Sequence, residues 1–374
     1  MAGSTRLVDL VQNRIDDCIS EHATQLAEIS PDLAAIVETA DELLGGGKRF
    51  RALFCYWGWQ AVAATSDEVD PDAEAAAQAR SLPAVVTVAA ALELFHAAAL
   101  VHDDIMDNSD LRRGVPAAHK AFESRHAGAG WDGDSRTFGT SSALLLGDLL
   151  LAWSDELFDD GRRRLADRVA GDAARDEFAR MRTEVTAGQY LDILEEASWK
   201  SRPDSELLPR AHRVILFKSA KYSVESPLVI GGSLAGASLE QLAALREFGL
   251  PLGVAFQLRD DLLGVFGDPE LTGKPAGDDL REGKRTVIIG LARQKMPASA
   301  VRLLDELLGD PDLSDDQVAM LQNTIRQSGA VDQVERIIAR EVERARGSLN
   351  DAPLGRAARE ELRSLADTVT RRDA

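Results

Sequence analysis

A chain of 374 residues with 45% hydrophobic content can bury a substantial core, which excludes a wholly disordered polymer. Its formal net charge of −19 repels nucleic acid and anionic membrane, so any anionic ligand needs a local patch of basic side chains. Two cysteines, Cys18 and Cys55, make no disulfide framework and show no metal-ligand spacing, which fits a reducing cytoplasm.

The first segment shows no secretory leader pattern, and Leu7, Val8, Val11, Ile15 and Ile19 recur at helical spacing. A second stripe, Ser30–Leu44, runs into "GGGKRFR", where Lys48, Arg49 and Arg51 follow a glycine run at a loop-to-helix junction. Backbone amides at a helix start, with cations beside them, suit phosphate. The spacing is not that of a P-loop. Thr65–Pro83 reads as a break. Leu82–Val101 is then nearly apolar over about the length of a bilayer span. Glu93 and His96 interrupt it and it ends in aspartates, so it predicts a buried central helix rather than a membrane span.

"LVHDDIMDNSDLRRG" closes that run. Asp103 and Asp107 are spaced i, i+4 and share a helix face, with Asp104 about 100° away. Oxygen-only ligation favours magnesium, which shares its remaining positions with water and phosphate. A helix C-terminus is an unfavourable place for acidic charge, and a like-charge i, i+4 pair costs more, so the cluster points to function. Arg112 and Arg113 follow closely, with guanidiniums able to hold diphosphate oxygens bidentately, and Gly114 and Pro116 are expected to end the helix. His126–Thr140 reads as the next break; its "DGDS" fails as a calcium loop because the twelfth position is Ala143.

Helical patterns continue through Ser142–Phe158 and Phe178–Leu194, and after a break at Ser198–Pro209 "FKSAKYS" offers Lys218 and Ser219. Leu239–Phe266 ends in a second aspartate cluster, "FQLRDDLLGVFGD", with Gln257 three residues before Asp260. Position 264 is glycine, so metal there would rest on Asp260 with help from Asp261. The glycine-broken loop Phe266–Arg285 adds Lys274 and Lys284, and Val287–Arg293 and Val331–Leu349 are again helical. Two such clusters facing one another across a bundle would gather divalent cations around a polyphosphate.

Taken in order, "GGGKRFR", "ELFHAAALVHDDIMD", "DLRRG", "GQYLD", "FKSA", "FQLRDDLLGVFGD" and "TGKPAGDDLREGKRT" resemble the motifs of the trans-isoprenyl diphosphate synthases, the polyprenyl synthetase family. The resemblance covers Gly45 to Thr286, and the tail after Arg293 adds no motif. It implies an all-α fold, one isoprenoid-synthase helical bundle over residues 1–374 around a large central cavity. It further implies a cytoplasmic homodimer without a membrane span or nucleic-acid partner, binding about three magnesium ions per site and condensing isopentenyl diphosphate with an allylic diphosphate.

Carried over by residue, Lys48, Arg51, His96 and Arg113 would grip isopentenyl diphosphate. Arg112, Lys218 and Lys274 would hold the allylic diphosphate, with Ser219 beside them, and Lys284 would close over the phosphates. Asp103, Asp107 and Asp260 would be the main magnesium ligands, supported by Asp104 and Asp261, while Gln189, Asp192 and Gln257 would line the cavity or orient the lysines. Gly264 departs from the family pattern, which usually has a carboxylate there. A tail anchored at Asp103 would run back past Ala99 and Ala98 to Phe95, then Leu92 and Ala91, a floor that suits a geranylgeranyl-length product. Farnesyl or longer products are the alternatives. A terpene cyclase would not need "GGGKRFR" and Arg113, and a non-catalytic regulatory subunit would be expected to have lost its aspartates.

Overall fold

The computed structural model describes residues 2–64, 71–268 and 276–370. Helical periodicity becomes helix almost throughout. The elements are α1 (Ala2–Ile29), α2 (Ala34–Leu44), α3 (Phe50–Ala63), α4 (Pro71–Met106), α5 (Ala118–Ala129), α6 (Ser135–Arg163), α7 (Arg168–Ser198), α8 (Leu207–Val214), α9 (Ser226–Leu234), α10 (Leu239–Phe266), α11 (Asp278–Glu282), α12 (Val287–Lys295), α13 (Ala298–Leu307), α14 (Asp315–Gln327), α15 (Ala330–Ser348) and α16 (Arg356–Thr370). Among the described residues the only strands are β1 (Leu111–Arg112) and β2 (Val115–Pro116), which pair antiparallel.

The chain divides into two compact units. The first comprises Met1–Glu177, Pro227–Leu242 and Leu354–Ala358; the second comprises Phe178–Ser226, Ala243–Pro353 and Arg359–Ala374.

The first unit is built on α4, which packs against α1, α3 and α6. Val85, Val88, Ala89, Leu92 and Leu94 are buried in it. Its stretch Ala76–Met106 is long and apolar enough to cross a membrane, but 83% of the most apolar window is buried inside the protein, as a core helix requires. Close approach depends on glycine: any Cβ at Gly161 would strike Ala84 and Val88, and one at Gly147 would strike the His102 ring.

Helix α4 departs from expectation at both ends. It runs through Pro83, where a break was expected, because proline removes one N–H from a helix that alanines otherwise favour strongly. It stops at Met106 rather than near Gly114, and Asn108 turns the chain at φ 53°. Arg113 (φ 54°) and Gly114 (φ 79°) then form the two-residue turn of the β1–β2 hairpin, a pair of left-handed residues that matches strand twist. Helix α5 likewise persists to Ala129, so only part of the expected 126–140 break is loop.

The second unit has its own core. Val254, Leu258, Leu262 and Val265 of α10 pack with Ile288, Leu304, Leu321, Ile325, Val334 and Ile338, so the tail beyond Arg293 completes this core. Between α8 and α9 the chain widens into a π-helical stretch, Ile215–Glu225, which contains Lys218 and Ser219. Gly188 of α7 lies against the backbone of Phe217 and Lys218, and Gly253 of α10 against that of Ala220.

Candidate active site

In the first unit the last turn of α4 sets out the acids. The Asp107 N–H donates to the Asp103 carbonyl at 2.8 Å, so the two keep their i, i+4 relation just past the helix end, and both are partly exposed. Asp104 is different: it is 2% exposed and accepts from Arg112 Nε at 3.0 and 3.2 Å, with Arg112 Nη2 close as well. Arg112 Nη2 also lies 3.7 Å from Asp103. The hairpin thus folds the arginine back onto the acids, and Asp104 stands buried behind Asp103 as the anchor of Arg112.

The glycine run forms the other wall of this half. Gly46 (φ 70°), Gly47 (φ 100°) and Arg49 (φ 49°) all adopt left-handed backbone, which leaves Lys48 exposed, Arg49 buried and Arg51 half-buried. A Cβ at Gly47 would meet Arg113 Nη1 at 3.3 Å, so Arg113 lies directly over the loop. His96 is half-buried on α4; burial and then the guanidiniums of Arg51, Arg113, Arg112 and Arg49 hold its pKa well below the ordinary value, which leaves it neutral. Arg51, His96 and Arg113, grouped on motif grounds, lie near one another, and Lys48 stands exposed in the loop beside Arg113.

The chain-length residues divide. Phe95 is 4% exposed and Ala98 is sealed in the core, while Ala99 is half-buried. Ala99, not Ala98, is the small residue with an accessible face.

In the second unit Asp192 Oδ2 accepts from Lys218 Nζ at 2.6 Å and from Lys284 Nζ at 3.4 Å, and Lys284 also lies 3.1 Å from Glu196. One carboxylate of α7 therefore orients both lysines. Gln189 and Ser219 are half-buried on α7 and the π-helical stretch. Gln257, three residues before Asp260, donates instead to Asp261 Oδ1 at 2.8 Å. Asp261 is buried, and desolvation, opposed by that hydrogen bond and reinforced by Asp260, pushes its pKa up to about 7. Asp260 keeps partial exposure. Any side chain at position 264 would overlap the Asp279 carboxylate, so Gly264 makes room for an acid brought in by α11. Lys274 lies outside the described residues.

Sequence reasoning missed several partners. Glu93 is 4% exposed and faces Arg49; Arg285, with its side chain 7% exposed, stacks over Trp199 at 3.7 Å. Burial, and then Arg293, push the Arg285 pKa down to about 10. Trp199 thereby fixes the residue next to Lys284. Trp199→Leu should release that clamp and lower kcat/KM about fivefold while the fold persists, as steady-state kinetics beside a thermal melt will show. An aromatic residue just after a helix rich in acids was the available signal.

Among the described residues no three His, Cys, Asp or Glu side chains converge to hold a metal ion by themselves. The donor set still suits magnesium, which takes one or two carboxylates and completes its shell with water and phosphate oxygens. Asp103 and Asp107 offer two carboxylates on one face, and the buried Asp261 Oδ2 makes no hydrogen bond, an acceptor that a hydrated cation would satisfy.

Known proteins share this pattern. The polyprenyl synthetase family model matches residues 34–325. The chain is 34% identical over 289 residues to a geranylfarnesyl diphosphate synthase of Aeropyrum pernix, covering 77% of this chain and 81% of that protein. It is 28% identical to a geranylgeranyl diphosphate synthase of Methanosarcina mazei over 92% of this chain and 91% of the other. A crystal structure of geranylgeranyl pyrophosphate synthase from Corynebacterium glutamicum, complexed with isoprenyl diphosphate and magnesium, superposes with a TM-score of 0.89 at 36% identity, covering 98% of this chain and 99% of that one. The all-α fold, the ordered motifs and these matches agree: the chain belongs to the polyprenyl synthetase family and is a short-chain trans-prenyltransferase.

Proposed function

We propose that the protein condenses isopentenyl diphosphate with dimethylallyl, geranyl and farnesyl diphosphates, depends on magnesium, and releases geranylgeranyl diphosphate as its main product. The observation that carries this reading is the presence of two separate cation groups, each beside its own carboxylates. Arg51 and Arg113 bear on His96 in the first unit, with Lys48 exposed in the glycine loop that Arg113 covers, and Lys218 and Lys284 share Asp192 in the second. Two diphosphates need two such groups, whereas a cyclase needs one. The Corynebacterium glutamicum neighbour, solved with isoprenyl diphosphate and magnesium, supports the same reading.

Asp103 and Asp107 would hold magnesium at the first cluster and Asp260 at the second, with Asp261 and its Gln257 partner behind. When bound, magnesium supplies Lewis-acid stabilisation of the charge that grows on a departing diphosphate. Lys218 and Lys284 add fixed cations to the allylic diphosphate, Lys274 is assigned to it by its motif alone, and Arg112 steadies Asp104 and Asp103. His96, held neutral, donates one hydrogen bond to isopentenyl diphosphate while Lys48, Arg51 and Arg113 neutralise it. The apolar face of α4 before Asp103 presents no nucleophile to the allylic cation. The double bond attacks, a carbon–carbon bond forms, and the proton lost goes to the released diphosphate.

The two units are proposed to act as one catalytic domain over 1–374. Exposed Leu144 and Leu145 on α6 supply apolar surface for a homodimer. Free Cys18 and Cys55, whose thiols burial pushes up to about 11 and about 12, suit the cytoplasm.

Purified protein with isopentenyl diphosphate, each primer and magnesium, followed by chromatography, tests the proposal; absence of any C20 product overturns the assigned length. The arginine pair separates further. Arg113→Ala should raise KM for isopentenyl diphosphate about tenfold with little change in melting temperature. Arg112→Ala strands a buried carboxylate, so it should cost roughly 3 kcal/mol of stability as well as allylic-substrate turnover. Chemical denaturation beside kinetics distinguishes them, and identical behaviour of both variants contradicts the division.

A further inference from the structure

Glu93 lies on α4 one turn before His96 and is 4% exposed, yet neither substrate binding nor metal binding uses it. Its two oxygens have separate partners. Oε2 accepts from Arg49 Nη1 at 3.4 Å, and Oε1 accepts from the backbone N–H of Ala52 at 3.1 Å. Ala52 is the third residue of α3, whose N-cap residue, Arg49, makes no side-chain cap bond. One buried carboxylate thus caps α3 from another helix and neutralises the residue at which the glycine loop reverses.

The reversal is strained. Arg49 is a non-glycine residue in left-handed backbone, a conformation that persists only when its surroundings hold it. Its guanidinium is pinned inside: besides Glu93 it donates to the Leu44 carbonyl and to Gln12 Oε1. Drawing Arg49 inward leaves Lys48 exposed and Arg51 half-buried on either side of it. Four arginines, Arg49, Arg51, Arg112 and Arg113, bear on His96 here, and Glu93 is the acid that offsets them at Arg113.

We infer that Glu93 is a positioning residue for the isopentenyl diphosphate pocket, acting through Arg49 and the α3 N-terminus to set where Lys48 and Arg51 stand. This rests on the assignment of that pocket to Lys48, Arg51, His96 and Arg113.

Glu93→Gln keeps the shape and an acceptor for the Ala52 amide but removes the charge that holds Arg49. In the full-length enzyme it should raise KM for isopentenyl diphosphate about tenfold, leave KM for farnesyl diphosphate within about twofold and change kcat little. Isothermal titration with isopentenyl diphosphate should show the same loss. Arg51→Ala, run in parallel, tests the pocket: if it leaves isopentenyl diphosphate binding intact, the pocket assignment fails and the inference with it. If Arg51→Ala weakens that substrate but a folded Glu93→Gln does not, or weakens both substrates equally, the positioning role alone is overturned. Should Glu93→Gln fold poorly, Glu93→Asp keeps the charge but shortens the reach to Arg49 and Ala52; a selective rise in KM for isopentenyl diphosphate supports the positioning role, and an unchanged KM, or an equal rise for both substrates, overturns it.

Discussion

Asp103→Ala should lower turnover by about a thousandfold or more, and an excess of chelator should do the same to the unaltered enzyme. The magnitude follows from the chemistry: ionising an allylic C–O bond places the charge of a whole diphosphate where carboxylates already stand, and without a bridging cation the two repel. Asp103 is partly exposed and its backbone closes the last turn of α4 whatever its side chain, so the fold should survive. Asp104→Ala offers the contrast. Its carboxylate is buried against Arg112, so the loss should appear as a lower melting temperature as well as lower turnover. Turnover by Asp103→Ala within tenfold of the parent, in a protein of unchanged melting temperature, would remove the metal role.

Ala99→Phe should shorten the main product towards farnesyl diphosphate, and Phe95→Ala should lengthen it beyond the parent's. Along α4, Ala99 is about 6 Å and Phe95 about 12 Å back from Asp103, at 1.5 Å per residue. A tail anchored at Asp103 meets the open face of Ala99 first and the nearly buried Phe95 next. A phenyl ring at 99 fills the space that the last isoprene unit needs; removing the ring at 95 opens a deeper layer. Ala98→Phe is the control, because position 98 has no exposed surface and a ring there should strain the core rather than measure the tail. Chromatography of the products decides, and unchanged chain length in both Ala99→Phe and Phe95→Ala would detach product length from this helix face.

Local information explains what was legible. The apolar run to Val101, the i, i+4 pair Asp103 and Asp107 and the glycine run before Lys48 are all patterns within a few residues, and each took the expected form. What escaped depends on residues far apart in the chain. Arg49 meets Glu93 across 44 positions, a pairing with no local signature, whereas Lys284 meets Asp192 across 92, a pairing that only the family resemblance, by giving Asp192 a role towards the lysines, brought within reach. Pro83 argued for a break that the surrounding alanines overrode, while Arg113–Gly114 made a hairpin turn where a helix end was expected. The π-helical stretch around Lys218 also lacks a local signal: glycines at 188 and 253, on two other helices, let their backbones approach it.

Glu93, Phe95, His96, Ala99, Asp103 and Asp104 all ride on one uninterrupted helix, α4. Substitutions at these positions act on separate tasks, but a change of length does not. One residue inserted between Ala99 and Asp103 would turn everything before it by about 100° relative to the acids and displace it by about 1.5 Å. The carboxylate that braces the glycine loop, the histidine beside it and the two residues that meet the product tail would all lose their bearings together. Segment exchange with relatives must therefore preserve the length of the interval from Glu93 to Asp107 as well as the residues within it that carry these tasks.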